Sequence, residues 1–223
     1  VQGADYAGTP EEEKTVIPPL ETQILPQITG RKTGFFHVEQ IDGIWWIIEP
    51  GGKGYYAIGT DHCRYGGHWC QALGYAPYGR NTKRIYGSEE AWAETATNRL
   101  KRWNFNLVAA GHSPSCRYRG LPHTEFISFG SGYSGHDALV EKTTWTGFPN
   151  VFSATWEQWC DKLAWKMCRP NADNPWLLGY FLDNELEWYG KGGGVVGVAI
   201  ETAKLPADNS GKQALVNLLK QRH

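Results

Sequence analysis

Four short apolar runs, which recur along the chain between helical or linking segments, constrain its fold more than any other feature. They span residues 55–61, 106–111, 124–129 and 177–183. Each run is apolar on both faces, a pattern typical of buried strands in a parallel sheet. Strands that alternate with helices favour an α/β fold with right-handed crossovers. We therefore predict that the four strands are mutually parallel and adjacent in chain order.

A β-hairpin is predicted ahead of these strands. Apolar runs at residues 34–40 and 44–49 flank Asp42-Gly43, a dipeptide typical of tight hairpin turns. Residues 1–33 differ in composition, because they hold four prolines and an acidic run that begins at Glu11. This composition predicts an extended leader, with the folded domain over residues 34–223.

Three helices are predicted from their start patterns. Ser88 precedes two acidic residues and is a suitable N-cap for a helix with a regular apolar face. Capping boxes are predicted at Thr155 with Gln158 and at Ser210 with Gln213. The helix behind Thr155 has the clearest amphipathic pattern in the chain.

Polar residues at the strand ends indicate where the chemistry lies. No glycine-rich dinucleotide or phosphate-binding motif follows a strand, which weakens the case for a doubly wound nucleotide-binding sheet. A barrel of parallel strands places its functional side chains at the C-terminal strand ends. In this chain those ends carry Asp61, His62, His112, Asn184 and Glu185.

Charge and hydropathy exclude two classes of partner. The chain has 22 basic and 23 acidic residues and no basic stripe, so we expect no nucleic-acid partner. No apolar run approaches the roughly 18 residues that a membrane span needs, so we expect no membrane partner. The 11 Trp, 11 Tyr and 8 Phe fit either a Trp-rich core or a cleft whose aromatic faces stack on sugar rings.

The five cysteines leave two structural alternatives open. An odd number cannot all pair within one chain. The stretch from His62 to Cys70 holds two His and two Cys, but its spacing fits no common zinc site. A loop disulfide between Cys63 and Cys70 is the other alternative. We expect no cofactor.

Three carboxylates follow the fourth predicted strand: Asp183, Glu185 and Glu187. Glycoside hydrolysis needs two carboxyl groups around the scissile bond, and a rigid strand end that opens onto a cleft suits one of them. The alternative is that these acids begin a helix, where acidic residues favour the first turn. That alternative fits Glu187 best, and the spacing favours Glu185 for catalysis.

The end of the fourth run resembles the strand-four motif of the clan A retaining glycoside hydrolases. In that clan an Asn-Glu pair ends strand four, and the Glu is the acid/base. Four further segments narrow the resemblance to β-agarase-like and β-galactosidase-like (β/α)8 barrels; they are residues 38–46, 59–64, 103–106 and 205–208. The resemblance covers residues 34–222.

The resemblance implies a role for several residues. Glu185 would be the acid/base, and Asn184 would hold the 2-hydroxyl of the substrate. The further sugar contacts that we expect are Asp61, His62, Arg64, His112 and the ring face of Trp188.

The resemblance also implies a second carboxylate that this sequence lacks. The clan places its nucleophile at the end of strand seven, whereas this chain supplies about the first four β/α units after a hairpin. Downstream of Glu187 the one candidate is Glu201, which we reject because its segment resembles an ordinary connection. A half-barrel leaves two sheet edges unpaired. We therefore expect a second polypeptide, or the remaining half of the barrel, as a partner.

Three hypotheses follow, from different functional classes. The first is a retaining glycoside hydrolase on a polysaccharide, with an agarose-like galactan favoured, in a secreted or periplasmic protein. The second is a non-catalytic carbohydrate-binding protein built on the same barrel. The third is an α/β protein whose acidic cluster at Glu185 and Glu187 binds a metal ion.

Overall fold

The computed structural model describes residues 24–143, 145–191 and 197–222. Its strands form an antiparallel sheet of four, a parallel sheet of four and a separate two-stranded hairpin. The strands are β1 (Leu25–Thr29), β2 (His37–Ile41), β3 (Ile44–Ile48), β4 (Lys53–Tyr55), β5 (Gly59–Thr60), β6 (Leu107–Val108), β7 (His123–Phe126), β8 (Ala138–Val140), β9 (Phe148–Pro149) and β10 (Leu177–Phe181).

The helices lie between and after the parallel strands. They are α1 (Pro77–Tyr86), α2 (Glu89–Arg102), α3 (Phe129–Tyr133), α4 (Trp156–Cys168), α5 (Gly197–Lys204) and α6 (Ser210–Arg222). Two short 3-10 helices lie at Pro114–Cys116 and Arg169–Asn171. Two helices thus separate β5 from β6, a 3-10 turn separates β6 from β7, and α5 and α6 follow β10.

The predicted hairpin is confirmed as β2 and β3. Ile41 pairs with Ile44 across the turn, and the turn residues Asp42 and Gly43 both have positive φ, 51° and 79°. Such a turn matches the right-handed twist of the flanking strands. The sheet has the order β1-β4-β3-β2. Of the predicted leader, residues 1–23 lie outside the described part, and Leu25–Thr29 is extended but pairs with β4, so it belongs to the sheet.

The parallel sheet has the predicted arrangement. Its order is β10-β7-β6-β5, and each adjacent pair is parallel. The first strand is shorter than predicted, because Tyr55 belongs to β4 and only Gly59–Thr60 joins the parallel sheet. The Tyr55 hydroxyl donates to the carbonyl of Asn106 at 2.6 Å, which ties the two sheets together. The protein is therefore an α/β protein with four parallel strands in chain order, and the complete eight-stranded barrel stays a prediction.

One of the three predicted helix caps is confirmed. The Ser88 hydroxyl accepts a hydrogen bond from the amide of Ala91. Both predicted capping boxes are wrong, because their hydroxyls serve tertiary contacts instead. The Thr155 hydroxyl bonds that of Tyr133 at 2.6 Å, and the Ser210 hydroxyl accepts from the Asn150 amide. Asn209 caps α6, since its Oδ1 accepts hydrogen bonds from the amides of Gly211 and Lys212.

Two apolar clusters hold these layers together. The first joins α2 to the parallel sheet and the segment after β6; its buried residues are Trp92, Ala93, Leu100, Val108, Cys116 and Leu121. The second lies between the β8–β9 hairpin and α5; its buried residues are Leu139, Val140 and Phe148. Both clusters fix the loops that follow the parallel strands, and those loops carry the predicted site.

Candidate active site

Each parallel strand is followed, within four residues of its end, by a residue in the left-handed backbone region. These residues are His62 (φ 54°), Gly111 (71°), Ser128 (60°) and Glu185 (49°). For a residue with a side chain this conformation costs energy and persists only where the surroundings enforce it. Such residues concentrate at functional sites. The backbone therefore marks the C-terminal edge of the parallel sheet as the candidate site.

A cavity of about 350 Å³ lies at this edge. Its polar side chains include the predicted residues Asp61, His62 and Asn184, and its aromatic ones include Trp145. The full lining is Asp61, His62, Ala110, Phe126, Ser128, Ser131, Trp145, Thr146, Phe181 and Asn184. Six of these ten residues are polar and three carry aromatic rings, so the cavity offers a ligand both hydrogen-bond partners and ring faces.

The loops after β5 and β6 form one wall of this cavity. The His62 amide donates to the carbonyl of Ala110 at 2.8 Å. A Cβ added to Gly111 would lie 3.3 Å from the His62 ring, so a side chain there would crowd the imidazole. Exposed Arg64 does not line the cavity.

The three acids after β10 have different environments. The half-buried Asp183 accepts from the amides of Gly130 and Ser131 at 2.6 and 2.8 Å. The buried Glu187 accepts from the amide of Gly147. Glu185 is exposed, and its carbonyl accepts from the hydroxyl of Thr146 at 2.6 Å.

Of these three acids, Glu185 is the one whose carboxylate accepts no backbone amide among the described residues. Within residues 24–143, 145–191 and 197–222 we find no hydrogen bond or ion pair to it. Glu185 follows Asn184, which lines the cavity, but is not itself part of the lining. The alternative that these acids begin a helix does not hold, since residues 182–187 are not helical; Asp183 and Glu187 instead hold neighbouring loops.

His112 is not part of the cavity lining and lies in a hydrogen-bonded network instead. Its Nδ1 lies 2.8 Å from the Ala109 carbonyl, and its Nε2 accepts from Nε of Arg117 at 3.0 Å. Arg117 in turn pairs with Glu125 at 2.7 Å. Burial lowers the pKa of His112, and the Arg117 charge lowers it further. Both ring nitrogens are engaged, so the structure does not bring His112 together with the predicted sugar contacts.

Trp188 lies in a second, apolar groove rather than in the cavity. Its ring packs edge-to-face on Phe148, with centroids 4.5 Å apart. The groove has a volume of about 570 Å³ and lies between the β8–β9 hairpin, α5 and α6. The structure therefore does not place Trp188 at the cavity, whose lining includes Trp145 instead.

The structure shows neither the zinc site nor the loop disulfide that the sequence left open for the stretch from His62 to Cys70. All five cysteines are free thiols, so the Cys63–Cys70 disulfide is not formed. The sulfur of Cys63 instead lies 3.8 Å from that of Cys116. In the part of the chain that the structure describes, no group of three or more His, Cys, Asp or Glu could hold a metal ion.

Comparison with known proteins gives the fold a context. No family model matches the chain. In sequence the chain is 22% identical over 225 residues to β-agarase B of Vibrio sp. (strain JT0107). In structure it is similar to BpGH50, with a TM-score of 0.65 at 20% identity, and to an agarase, AgWH50C, with a TM-score of 0.62 at 21% identity. The chain is β-agarase-like in sequence and in fold.

The β-agarase-like chain spans less than half the length of these relatives. The match covers 73% of this chain and 23% of β-agarase B. It covers 87% of this chain and 43% of BpGH50, and 86% of this chain and 35% of AgWH50C. No helix in the described ranges is long and apolar enough to cross a membrane.

Some lining residues of the cavity are not predicted from the sequence. Phe126 and Phe181 lie at the ends of correctly predicted strands, and only the strand register shows that they face the cavity. Trp145 and Thr146 come from the Gly- and aromatic-rich loop between residues 131 and 154. The composition of that loop was the available clue to its role.

Proposed function

We propose that this protein is a glycoside hydrolase that cleaves β-glycosidic bonds of an agarose-like galactan. It would act by a retaining double displacement with Glu185 as the acid/base. The β-agarases among its relatives support this substrate class, and the Asn-Glu pair after β10 supports the mechanism.

One observation carries the proposal. Of the three acids at the end of β10, Asp183 and Glu187 accept backbone amides, whereas the exposed Glu185 is held in the left-handed region beside the cavity. A general acid must be rigidly placed and free to meet the glycosidic oxygen. The strained backbone and the bond from Thr146 supply the rigidity.

The chemistry assigns each nearby group a part. Glu185 would protonate the leaving glycosidic oxygen in the first step and deprotonate water in the second. Asn184 would hydrogen-bond the 2-hydroxyl, and Trp145 would stack on an apolar sugar face. The nucleophile would be a carboxylate from outside this sequence, with its carboxyl group about 5 to 5.5 Å from that of Glu185.

The partner and location follow from this proposal. A second polypeptide, or the remaining half of the barrel, would supply the nucleophile and cover the open sheet edges. A secreted or periplasmic location would bring the enzyme to a polymer that is too large to enter the cell.

The test is Glu185→Ala in the complete assembly, assayed on a natural galactan and on an activated aryl galactoside. We expect turnover of the galactan to fall by roughly 10²- to 10⁴-fold, because its leaving group needs a proton. The first step on the aryl substrate should be affected far less, and azide should restore the second step. Glu157→Ala, which removes an exposed glutamate in α4, is the matched control.

Two outcomes would contradict the proposal. Full activity of the Glu185→Ala variant on both substrates would remove Glu185 from the mechanism. If the complete wild-type assembly bound galactan without cleaving it, the non-catalytic carbohydrate-binding function would replace the hydrolase.

A further inference from the structure

Two cysteines lie next to each other on the loops that form one wall of the cavity. Cys63 directly follows His62, and Cys116 ends the 3-10 helix after β6. Their sulfurs are 3.8 Å apart, whereas a disulfide bond is about 2.05 Å long. Cys116 is fully buried and Cys63 is partly buried against the same apolar cluster. The sulfurs are therefore in contact but not bonded.

The backbone around both cysteines is already fixed. The Ser113 amide donates to the carbonyl of Cys63 at 2.8 Å, and the Cys116 amide donates to the carbonyl of Ser113 at 2.9 Å. The Ser113 hydroxyl accepts from the amide of Tyr65 at 2.9 Å. Three bonds through one serine thus hold the two cysteines together, so that small side-chain rotations could close the remaining gap.

We propose that Cys63 and Cys116 are a disulfide-forming pair whose cross-link staples the loop after β5 to the loop after β6. The oxidant would be a low-molecular-weight disulfide such as oxidised glutathione. The Cys63 thiolate attacks one sulfur of the oxidant and expels a thiolate, which gives a mixed disulfide. The Cys116 thiolate then attacks the Cys63 sulfur and expels the second thiolate. The two cysteine protons pass to the two departing thiolates.

The environments of the two thiols suit this order. The Cys63 side is the more accessible of the pair, and the hydrogen bond from Cys116 lowers the pKa of Cys63. The same bond and burial raise the pKa of Cys116. Cys63 is thus the thiol that ionises first and meets the oxidant, and Cys116 is the resolving thiol within the protein.

The cross-link would act on the candidate site through His62. It would hold the backbone at His62, which lines the cavity in the left-handed region, against the segment that carries Ala110. It would also link two residues that are 53 positions apart in the chain. A cross-link that closes a longer loop removes more conformational entropy from the unfolded chain and therefore stabilises the fold more. We expect a melting temperature on the order of 5 to 10 °C higher in the oxidised than in the reduced protein.

The test is a peptide map of the full chain after equilibration with oxidised glutathione and alkylation of the remaining thiols. Trypsin releases Cys63 in peptide 54–64 and Cys116 in peptide 103–117, each as the sole cysteine. We expect these two peptides to appear cross-linked, with the loss of two hydrogen atoms, and to separate after reduction. Peptide 65–80, which carries Cys70 alone, should be alkylated.

Melting curves with and without reductant provide the second readout. Cys116→Ser should abolish the redox-dependent shift, whereas the control Cys160→Ser, in α4, should keep it. The wild-type comparison needs no variant to fold. Alkylation of both Cys63 and Cys116 after oxidation, or a cross-link from Cys63 to Cys70, would overturn the proposal. Neither readout depends on hydrolytic activity.

Discussion

At the scale of single residues, side chains outside the cavity lining help to position the candidate site. Asp183 is the clearest case, because its carboxylate accepts the amides of Gly130 and Ser131 at the start of α3. A negative charge at a helix start is favourable, and charge-assisted hydrogen bonds are stronger than neutral ones. Ser131 lines the cavity, so Asp183 ties the segment after β10, which carries Asn184, to another part of the lining.

Asp183→Asn should therefore loosen the site as well as destabilise the fold. An asparagine oxygen can accept one amide, but its NH₂ group would face the other donor. We expect a loss of roughly 1 to 3 kcal/mol in the free energy of unfolding, measured by urea denaturation. The control Asp173→Asn alters an exposed aspartate and should change the free energy of unfolding by less than about 0.5 kcal/mol. Equal stability of the two variants would show that the Asp183 contacts carry no net energy.

The buried histidine of β7 predicts a pH dependence of stability. Burial lowers the pKa of His123 to about 3, with further contributions from the charges of Arg117 and His112. Glu125 lies 3.5 Å away, but Arg117 already neutralises it. The unfolded chain takes up the proton near 6.5, whereas the folded chain does not until about 3. Protonation thus favours the unfolded state, and stability should fall as pH drops below about 6.5.

Between pH 6.5 and pH 5, His123 alone should lower the free energy of unfolding by about 2 kcal/mol. The lowered pKa of His112 acts in the same direction, whereas the raised pKa of Glu125 opposes it nearer to pH 4.5. The measurement is urea denaturation at several pH values. His123→Asn should flatten the slope, and His136→Asn, at an exposed position, should not. An unchanged slope in His123→Asn would contradict the assignment.

The sequence predicts which residues line the cavity where the strand pattern alone places the side chain. Asp61, His62 and Asn184 lie within three residues of a strand end, and all three line the cavity. His112 also follows a strand, but its ring is hydrogen-bonded to Arg117 and does not line the cavity. Trp188 packs on Phe148, a partner from a distant hairpin. Neither contact has a local sequence pattern, because both depend on tertiary packing.

At the scale of elements, the strands were predictable because their burial on both faces leaves an unbroken apolar run. The missed helix α1 has no buried residue, a largely polar sequence and no side-chain cap at Ala76, so neither a capping signal nor an apolar run marks it in the sequence. It is fixed instead by close approach to the loop that follows His62. A Cβ on Gly79 would lie 2.3 Å from the carbonyl oxygen of Gly66.

Gly79→Ala should therefore be destabilising although alanine favours helices. Helix propensity would contribute up to about 1 kcal/mol in favour of alanine, whereas the backbone clash should cost roughly 1 to 3 kcal/mol or displace the loop. Gly66→Ala is the matched control in the same contact, because a Cβ there meets nothing within 4 Å. Thermal melting of both variants provides the comparison. A Gly79→Ala protein as stable as the wild type would show that α1 does not pack tightly on this loop.

At the scale of the whole molecule, the described sheet is open at both edges. In the ranges that the structure describes, β5 pairs only with β6 among the parallel strands, and β10 only with β7. Ile58 and Phe181, near these edges, are 41% and 43% exposed. The apolar groove between α5, α6 and the β8–β9 hairpin adds a further uncovered surface. Parallel strands and large apolar patches are normally covered, which motivates the proposal of a partner or remaining barrel half.

The purified 223-residue chain should therefore bind a hydrophobic dye strongly and should hydrolyse no galactan by itself. Adding the polypeptide that completes the barrel should lower dye binding and produce activity together, because the same association covers the apolar surface and delivers the nucleophile. Leu218→Lys, within the groove, should weaken that association, whereas Ile85→Lys, on α1 and 60% exposed, should not. Titration calorimetry and dye fluorescence measure the two effects. If small-angle scattering shows the chain alone to be a closed monomer that binds no dye, the surface has no missing partner, and the nucleophile must be sought within the chain.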